Sequence, residues 1–341
     1  MKLSQFETLA ADQFGLKPEA PARQMDAGNI NRTAVITSTE GVFVVQDINT
    51  AIFTRPDDLM DNIEKVVACQ HMHNLATIEL CRTVDGELIA IHDGMPWRCY
   101  RFVEGNATPP IRTRDDAQST ARAFGRYARA IDGLELVEHL PGYHDFDGRV
   151  AAFQETVDDD ELGRLSNCAQ HVEDLIAMVD RLRVTSAFDA WLEVPVRNAH
   201  NDAKGPNCIV GGAGRTIIDL DTTMPGTLLS DVGELVRSST RHMNEASPEA
   251  VMAQIASVNR GFLAGYGGDL TDAEHASMLL AGPLMTVENS VRFMADHLSG
   301  DKYYGADATD QNLDRAIAQL RLAERLVEVI ELATSGALGA A

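Results

Sequence analysis

The stretch His200-Asn201-Asp202-Ala203-Lys204-Gly205-Pro206-Asn207, with its sequel Ile217-Ile218-Asp219-Leu220-Asp221, limits what this chain can fold into. Between the two lie Cys208-Ile209-Val210, a Gly211-Gly212-Ala213-Gly214 turn, and Arg215-Thr216-Ile217-Ile218, which together predict a β-hairpin. Pairing Val210 with Arg215 sets Ile209 opposite Thr216 and Cys208 opposite Ile217. The open end is then expected to bring Asn207 beside Ile218 and Asp219.

That expected geometry carries chemistry. A carboxamide and a carboxylate delivered to one point are hard oxygen ligands suited to Mg²⁺. Asp202, five residues before Asn207, is in reach of the same point and can accept a proton from an attacking hydroxyl. Lys204 supplies a compact cation where negative charge develops. Asp219-Leu220-Asp221 adds a second carboxylate at Asp221, a further candidate ligand. His200 opens the loop and is read as fixing its backbone. A base, a charge clamp and metal ligands are the inventory of phosphoryl transfer.

The flanking sequence divides in two. Residues 33–48 alternate and then run apolar around Glu40-Gly41, a predicted hairpin, and Pro56 to about His73 carries Leu59, Ile63, Val66, Val67 and Gln70 at helical spacing. Ala76 to Val84 and Glu87 to Ile91 flank Asp85-Gly86 and predict a second hairpin. Trp97 to Val103 predicts a last strand, so an antiparallel sheet with one main helix accounts for residues 1–104. Glu104-Gly105-Asn106-Ala107-Thr108-Pro109-Pro110 breaks regular structure and reads as a linker. Residues 105–341 are mostly helical, with apolar faces over Asp115 to Ile131 and along Leu313, Ile317, Leu320, Leu326 and Ile330. Asp158-Asp159-Asp160-Glu161 suits the first turn of a helix. The fold class is α+β, with a small N-terminal β lobe and a larger helical C-terminal lobe.

Composition excludes several alternatives. The 341 residues carry a net charge of −22, which disfavours nucleic acid and anionic membranes as partners. No run approaches the roughly 18 apolar residues of a membrane span, and the first residues carry no apolar signal core. Five scattered cysteines without an export signal suit reduced thiols. The expectation is a cytoplasmic enzyme, monomer or homodimer, acting on a small molecule.

His200-x-Asp202-x-Lys204-x-x-Asn207 followed by Ile218-Asp219 resembles the catalytic and metal loops of the protein-kinase-like aminoglycoside/choline phosphotransferase superfamily. The match looks closer still to the N-acetylhexosamine 1-kinases. Further anchors are Gly28-Asn29-Ile30-Asn31, Val45 to Thr50 with Phe53, Trp97 to Tyr100, Asp219 to Thr222 with Met224-Pro225-Gly226, Asp231 to Arg237, and Arg292 to Leu298 with Gly300 to Tyr303. The resemblance implies a bilobal kinase-like fold, ATP and Mg²⁺ as cofactors, Asp202 as base, and Asn207 and Asp219 as metal ligands, with Asp221 additional. It implies that Gly28, Asn29, Asn31 and Thr33 cover the phosphates, with Gln46 nearby, and that Arg101, Phe102 and Val103 form the hinge that meets adenine. Arg292 and Tyr303 would contact the acceptor, a sugar or amino sugar phosphorylated at its anomeric hydroxyl.

The chain departs from the pattern in four places. Gln46 stands where a protein kinase has a strand lysine, Ala203 replaces a threonine, Glu234 replaces an aspartate, and Arg101 stands where the relatives favour an acid. An amino-alcohol or aminoglycoside acceptor is the alternative, and a nucleotide-binding pseudoenzyme a third reading. The intact Asp202, Asn207 and Asp219 argue against the third.

Overall fold

The structure is a computed structural model that describes residues 3–25, 30–107, 111–212, 214–304, 306, 308 and 310–338. The chain forms two compact units, each discontinuous: Met1–Ala107 with Gly133–Pro141 and Cys208–Met224, and Thr108–Asp132 with Gly142–Asn207 and Pro225–Ala341.

The first unit contains α1 (Leu3–Phe14), β1 (Arg23–Gln24), β2 (Thr33–Ser38), β3 (Gly41–Asp47), α2 (Pro56–Met72), β4 (Leu80–Cys81), β5 (Ala90–His92), β6 (Met95–Arg101) and β7 (Asn106–Ala107). Its antiparallel sheet runs β1-β2-β3-β6-β4, with β5 on the start of β6. Alternate side chains serve opposite faces. Ala34, Ile36, Phe43, Val45, Trp97 and Cys99 pack with Phe6, Leu9, Ala10 and Phe14 of α1, where Phe6 meets Trp97 edge-on at 5.3 Å. The other face carries Gln46 and Arg98, paired in register, and Arg98 reaches Met60 of α2. Burial on both faces explains why β2 and β3 run apolar rather than alternating strictly.

Three expectations for this unit change. Helix α1 was absent from the sequence reading, although Phe6, Leu9, Ala10 and Phe14 follow helical spacing. The turn at Asp85-Gly86 forms, with Gly86 N–H donating to Thr83 O at 2.9 Å, but the two long strands around it do not. Both short remnants pair with β6 instead. The hairpin that does close is β5–β6, through Asp93 at φ 52° and Gly94 at φ 75°. Two positive-φ residues are what a type I′ turn demands, and Asp-Gly supplies them at low cost. In the linker region, Asn106 and Ala107 pair with Val210 and Ile209 of the Cys208–Gly211 strand. Gly105, at φ 146°, has no room for a Cβ, which would lie 2.5 Å from Val210 O.

The second unit contains α3 (Arg114–Ile131), α4 (Phe146–Asp159), α5 (Ala169–Arg183), α6 (Ser186–Trp191), α7 (Leu228–Thr240), α8 (Pro248–Tyr266), α9 (Asp272–Ser277), α10 (Ala281–Leu298) and α11 (Gln311–Thr334). Thr113 caps α3, Thr227 caps α7 and Ser247 caps α8, each accepting an N–H from its helix's first turn. The core joins Phe146, Val150 and Phe153 of α4, Leu175 and Val179 of α5, Leu284, Val287 and Val291 of α10, and Leu320 and Ala323 of α11.

The acidic run at 158–161 ends a helix rather than starting one. Asp145 caps α4, and the apolar phase from Phe146 carries that helix through Asp159. Packing of Phe146, Val150 and Phe153 outweighs the few tenths of a kcal/mol by which the dipole disfavours acids in a last turn. Asp160 then turns the chain at φ 33° and accepts Leu165 N–H at 3.0 Å.

Helices α3 and α8 touch through glycines. A Cβ on Gly265 would lie 2.2 Å from Arg122 O, and one on Gly261 2.2 Å from Gln118 O. Gly265→Ala therefore forces two backbones apart and should cost about 1–3 kcal/mol despite alanine's better helix propensity. Gly212→Ala, facing open space, should stay within about 0.5 kcal/mol. Urea midpoints of the two variants check this, and equal midpoints would refute the close-packed seam.

Candidate active site

The loop after the short strand Arg197–Ala199 is held from several sides. Asn198 Nδ2 donates to Ile131 O at 2.9 Å, and the fully buried His200 ring stands edge-on to Phe124 and Tyr127 of α3 at 5.3 and 5.5 Å. Asp231 of α7 accepts the backbone N–H groups of His200 and Asn201 at 3.0 and 2.7 Å. Burial pushes the Asp231 carboxyl up, while His200 and the two N–H donors pull it down. Asn201 sits at φ 62°, a conformation that costs a non-glycine residue free energy and persists only where its surroundings over-determine it. His200 thus has the structural part expected of it: its Nδ1 accepts the Asp202 N–H at 3.3 Å.

Asp202, Lys204 and Asn207 form one cluster. Lys204 Nζ donates to Asp202 Oδ2 at 2.6 Å, and Asn207 Nδ2 donates to the same oxygen and to Asp202 O, both at 3.0 Å. A short 3₁₀ turn, Gly205–Asn207, delivers the carboxamide. One carboxylate oxygen is fixed by two donors, and the other is left facing outward on a side chain 22% exposed. Ala203 is fully buried, so this position has no space for a larger residue without a shift.

Beyond Asp202 the same unit holds a packed polar cluster that the sequence reading only half found. The Arg292 guanidinium lies 5.1 Å from the Tyr143 ring and 5.5 Å from the Tyr304 ring, with the Glu288 carboxylate at 3.9 Å. Burial disfavours its charge, but Tyr304, Tyr143 and Glu288 more than compensate and raise its pKa. Tyr303, expected as an acceptor contact, is 47% exposed; its N–H donates to Asp296 Oδ1 at 2.8 Å. Its neighbour Tyr304 is the ring on Arg292, and burial pushes that phenol up to about 12. Sequence reasoning missed Tyr143, His144, Glu288 and Tyr304. The i,i+4 spacing of Glu288 and Arg292 on one helix was the available signal. Glu234 and Arg237 of α7 form a further buried ion pair, joined by Asn289 Nδ2 at 2.8 Å from Glu234.

In the first unit the expected hairpin register is observed: Val210 pairs with Arg215, Ile209 with Thr216 and Cys208 with Ile217. Asp219 follows at φ 60°, ψ 57°, capping a 3₁₀ turn at Leu220–Thr222. Asp221 is buried, and both its oxygens are engaged. Arg98 donates to Oδ1 at 2.6 Å and to Oδ2 at 2.8 Å, and Asn31 Nδ2 donates to Oδ2 at 2.9 Å. Arg98 also donates to Gln46 Oε1 at 2.9 and 2.6 Å, and Gln46 Nε2 donates to Thr33 Oγ1 at 2.9 Å. Asn31, Thr33 and Gln46 are therefore brought together around a buried arginine. On the other side of the turn, His139 Nε2 meets Asp221 O at 2.7 Å, and Asn62 of α2 donates to Thr223 O at 3.2 Å. Gly28 and Asn29 lie outside the described residues. Arg101 turns to the surface, over Phe43 and against Glu79, and Phe102 N–H donates to Val42 O at 2.9 Å beside half-buried Val103.

Residues 21–276 match the family model described as APH, phosphotransferase enzyme family. The chain belongs to this phosphotransferase family. Among solved structures, this phosphotransferase is similar to a spectinomycin phosphotransferase in complex with ADP and spectinomycin, at 14% identity, 97% coverage of this chain, 99% of that chain and a TM-score of 0.64. An aminoglycoside phosphotransferase from Alicyclobacillus acidocaldarius matches at 12% identity, 94% of each chain and a TM-score of 0.65. An amicoumacin kinase in complex with AMP-PNP and Ca²⁺ matches at 13% identity, 95% of this chain, 94% of that chain and a TM-score of 0.63. At these identities the likeness is one of fold, and it agrees with the expected kinase-like α+β architecture. Among the described residues, no helix is long and apolar enough to cross a membrane.

The two buried ion pairs make separate predictions. Arg98→Met leaves Asp221 as a buried carboxylate without its countercharge and should cost about 3–5 kcal/mol, whereas Arg98→Met with Asp221→Leu should recover most of that loss. Equal urea midpoints for the single and double variants would overturn this account. For Glu234, burial raises the pKa, but Arg237 outweighs it and the folded-state value falls below 4.5. The stabilisation is full above that unfolded value and is lost as pH falls through the folded one. Glu234→Gln should flatten the acid limb of midpoint against pH between about pH 6 and about pH 3; a limb of unchanged slope would contradict this.

Proposed function

We propose that this phosphotransferase is an ATP- and Mg²⁺-dependent kinase of a small-molecule hydroxyl, with Asp202 as its base. The observation that carries the reading is the asymmetry of the Asp202 carboxylate. Oδ2 is pinned by Lys204 and Asn207, while Oδ1 is open to accept a proton from an incoming hydroxyl. Lys204 holds that carboxylate in place and would offer a cation to the charge that develops on the transferred phosphoryl. In this assignment residues 1–104 serve the nucleotide and 105–341 serve catalysis and the acceptor. Asn31, Thr33 and Gln46 with the loop at Gly28 and Asn29 would face the phosphates, and the backbone at Arg101, Phe102 and Val103 the adenine.

In this reading Asn207, whose Nδ2 is used on Asp202, would offer its Oδ1 to a hard divalent cation, and Asp219 would supply a carboxylate. Asp221 would have to leave Arg98 to bind metal directly, so its proposed part is to hold the Asp219 turn. When bound, Mg²⁺ would neutralise charge on the phosphates.

For the acceptor, our reading is a neutral, oxygen-rich molecule such as an N-acetylhexosamine or related sugar, taken at its anomeric hydroxyl. Arg292 already occupies the Tyr143 and Tyr304 faces that a quaternary ammonium would need, and its forked donors suit hydroxyl or acetamide oxygens. The amino-alcohol or aminoglycoside reading draws support from the net charge of −22 and from the acceptors named for the solved neighbours.

ADP release from ATP and Mg²⁺ should appear with N-acetylglucosamine or N-acetylgalactosamine and exceed that with choline, ethanolamine or an aminoglycoside. Turnover confined to the cationic panel would replace the sugar reading with the second one. Asp202→Asn should lower kcat on the order of a hundredfold to ten-thousandfold with the Kd for ATP nearly unchanged; undiminished turnover would remove Asp202 as base.

A further inference from the structure

His144 lies in the segment between α3 and α4, and nothing above gives it work. Its ring is buried and both nitrogens end on acceptors: Nδ1 on Glu288 Oε1 at 2.8 Å and Nε2 on the carbonyl of Asn201 at 2.8 Å. A carbonyl cannot donate, and a carboxylate oxygen accepts. A ring between two such groups satisfies both only by donating from both nitrogens, that is, as imidazolium. The residue it holds is Asn201, whose N–H is already taken by Asp231 and whose φ is 62°. Asp202 comes next in the chain.

We propose that His144 is a positioning residue for Asp202, a buried imidazolium that holds the Asn201 carbonyl while Asp231 holds the Asn201 N–H, with Glu288 as its counterion. The clamp also reaches the polar cluster at Arg292. Glu288 is fully buried, gives Oε1 to His144 and lies 3.9 Å from Arg292, while its Oε2 has no hydrogen-bond partner. One carboxylate is thus shared by the group that steadies the base and the group assigned to the acceptor. The charged groups around the ring are Glu288 and Arg292 on α10 and Asp231 and Glu234 on α7, with the Tyr143 ring at 4.7 Å. Burial opposes the imidazolium and Arg292 repels it, but Glu288 and the Asn201 carbonyl outweigh both and raise the pKa. Charge-assisted hydrogen bonds at both nitrogens are the stronger kind.

The inference rests on Asp202 being the base, so its test has arms that do and do not require turnover. In the intact protein, ¹⁵N NMR at about pH 8, above the free-imidazole range, should find both His144 nitrogens protonated, with Glu288→Gln shifting the ring to a single neutral tautomer. A neutral His144 in the wild type overturns the proposal. Amide exchange of Asp202 should speed up about tenfold or more in His144→Gln, which keeps a donor but not the charge; unchanged protection overturns the clamp. In kinetics, His144→Gln should lower kcat about tenfold to hundredfold with the KM for ATP and acceptor within about twofold. Equal kcat in a folded variant overturns the positioning role. A wild type that transfers to no acceptor defeats the functional reading instead, and the spectroscopic and exchange arms still decide the clamp.

Discussion

Two N–H groups aimed at the Asp231 carboxylate hold the centre of the helical unit. The backbone at His200 and Asn201 belongs to neither helix nor extended strand, so its polar groups find no ladder to join. Buried without partners, they would cost about 1–3 kcal/mol each. Asp231 satisfies both N–H groups, and its own position is fixed because α7 packs on α10 so closely that Gly233 has no room for a side chain. The left-handed Asn201, the Asp202–Lys204–Asn207 cluster and the His200 stack on α3 all depend on that anchor.

The carboxylates show how the same group is put to different uses by its surroundings. Asp221 and Glu234 are buried and neutralised by arginines, Asp231 is buried on backbone donors, and Glu288 is shared between an imidazole and a guanidinium. Only Asp202 among these keeps one oxygen turned toward solvent. Removing the partner of any buried member strands a charge, whereas the open oxygen of Asp202 is stable because water reaches it.

Much of this was legible in the sequence, for identifiable reasons. The Cys208–Ile217 hairpin could be registered to the residue because its glycine turn fixes the pairing, and α2 and α3 could be bounded closely because Pro56 marks the start of one and an apolar face runs along Asp115 to Ile131 of the other. The strand at residues 76–84 failed because its pairing is decided by β6, which the local pattern does not contain. The acidic run failed because packing of Phe146, Val150 and Phe153 set the helix phase from upstream. In the site, Asp202, Lys204 and Asn207 come from one short loop and were found together. The Glu288–His144 pair spans 144 positions and was not, since no local spacing announces a contact made only by folding.

The strand position at which a protein kinase carries a lysine holds Gln46 here, and the cation beside it is Arg98, fastened to Gln46 and Asp221. A guanidinium stays protonated at any accessible pH and is a poor nucleophile, and a carboxamide is poorer still. Reagents that find kinases by acylating an amine next to bound nucleotide would meet no amine on these strands. A label of that kind would pass over these strands and have to take its amine from elsewhere in the chain.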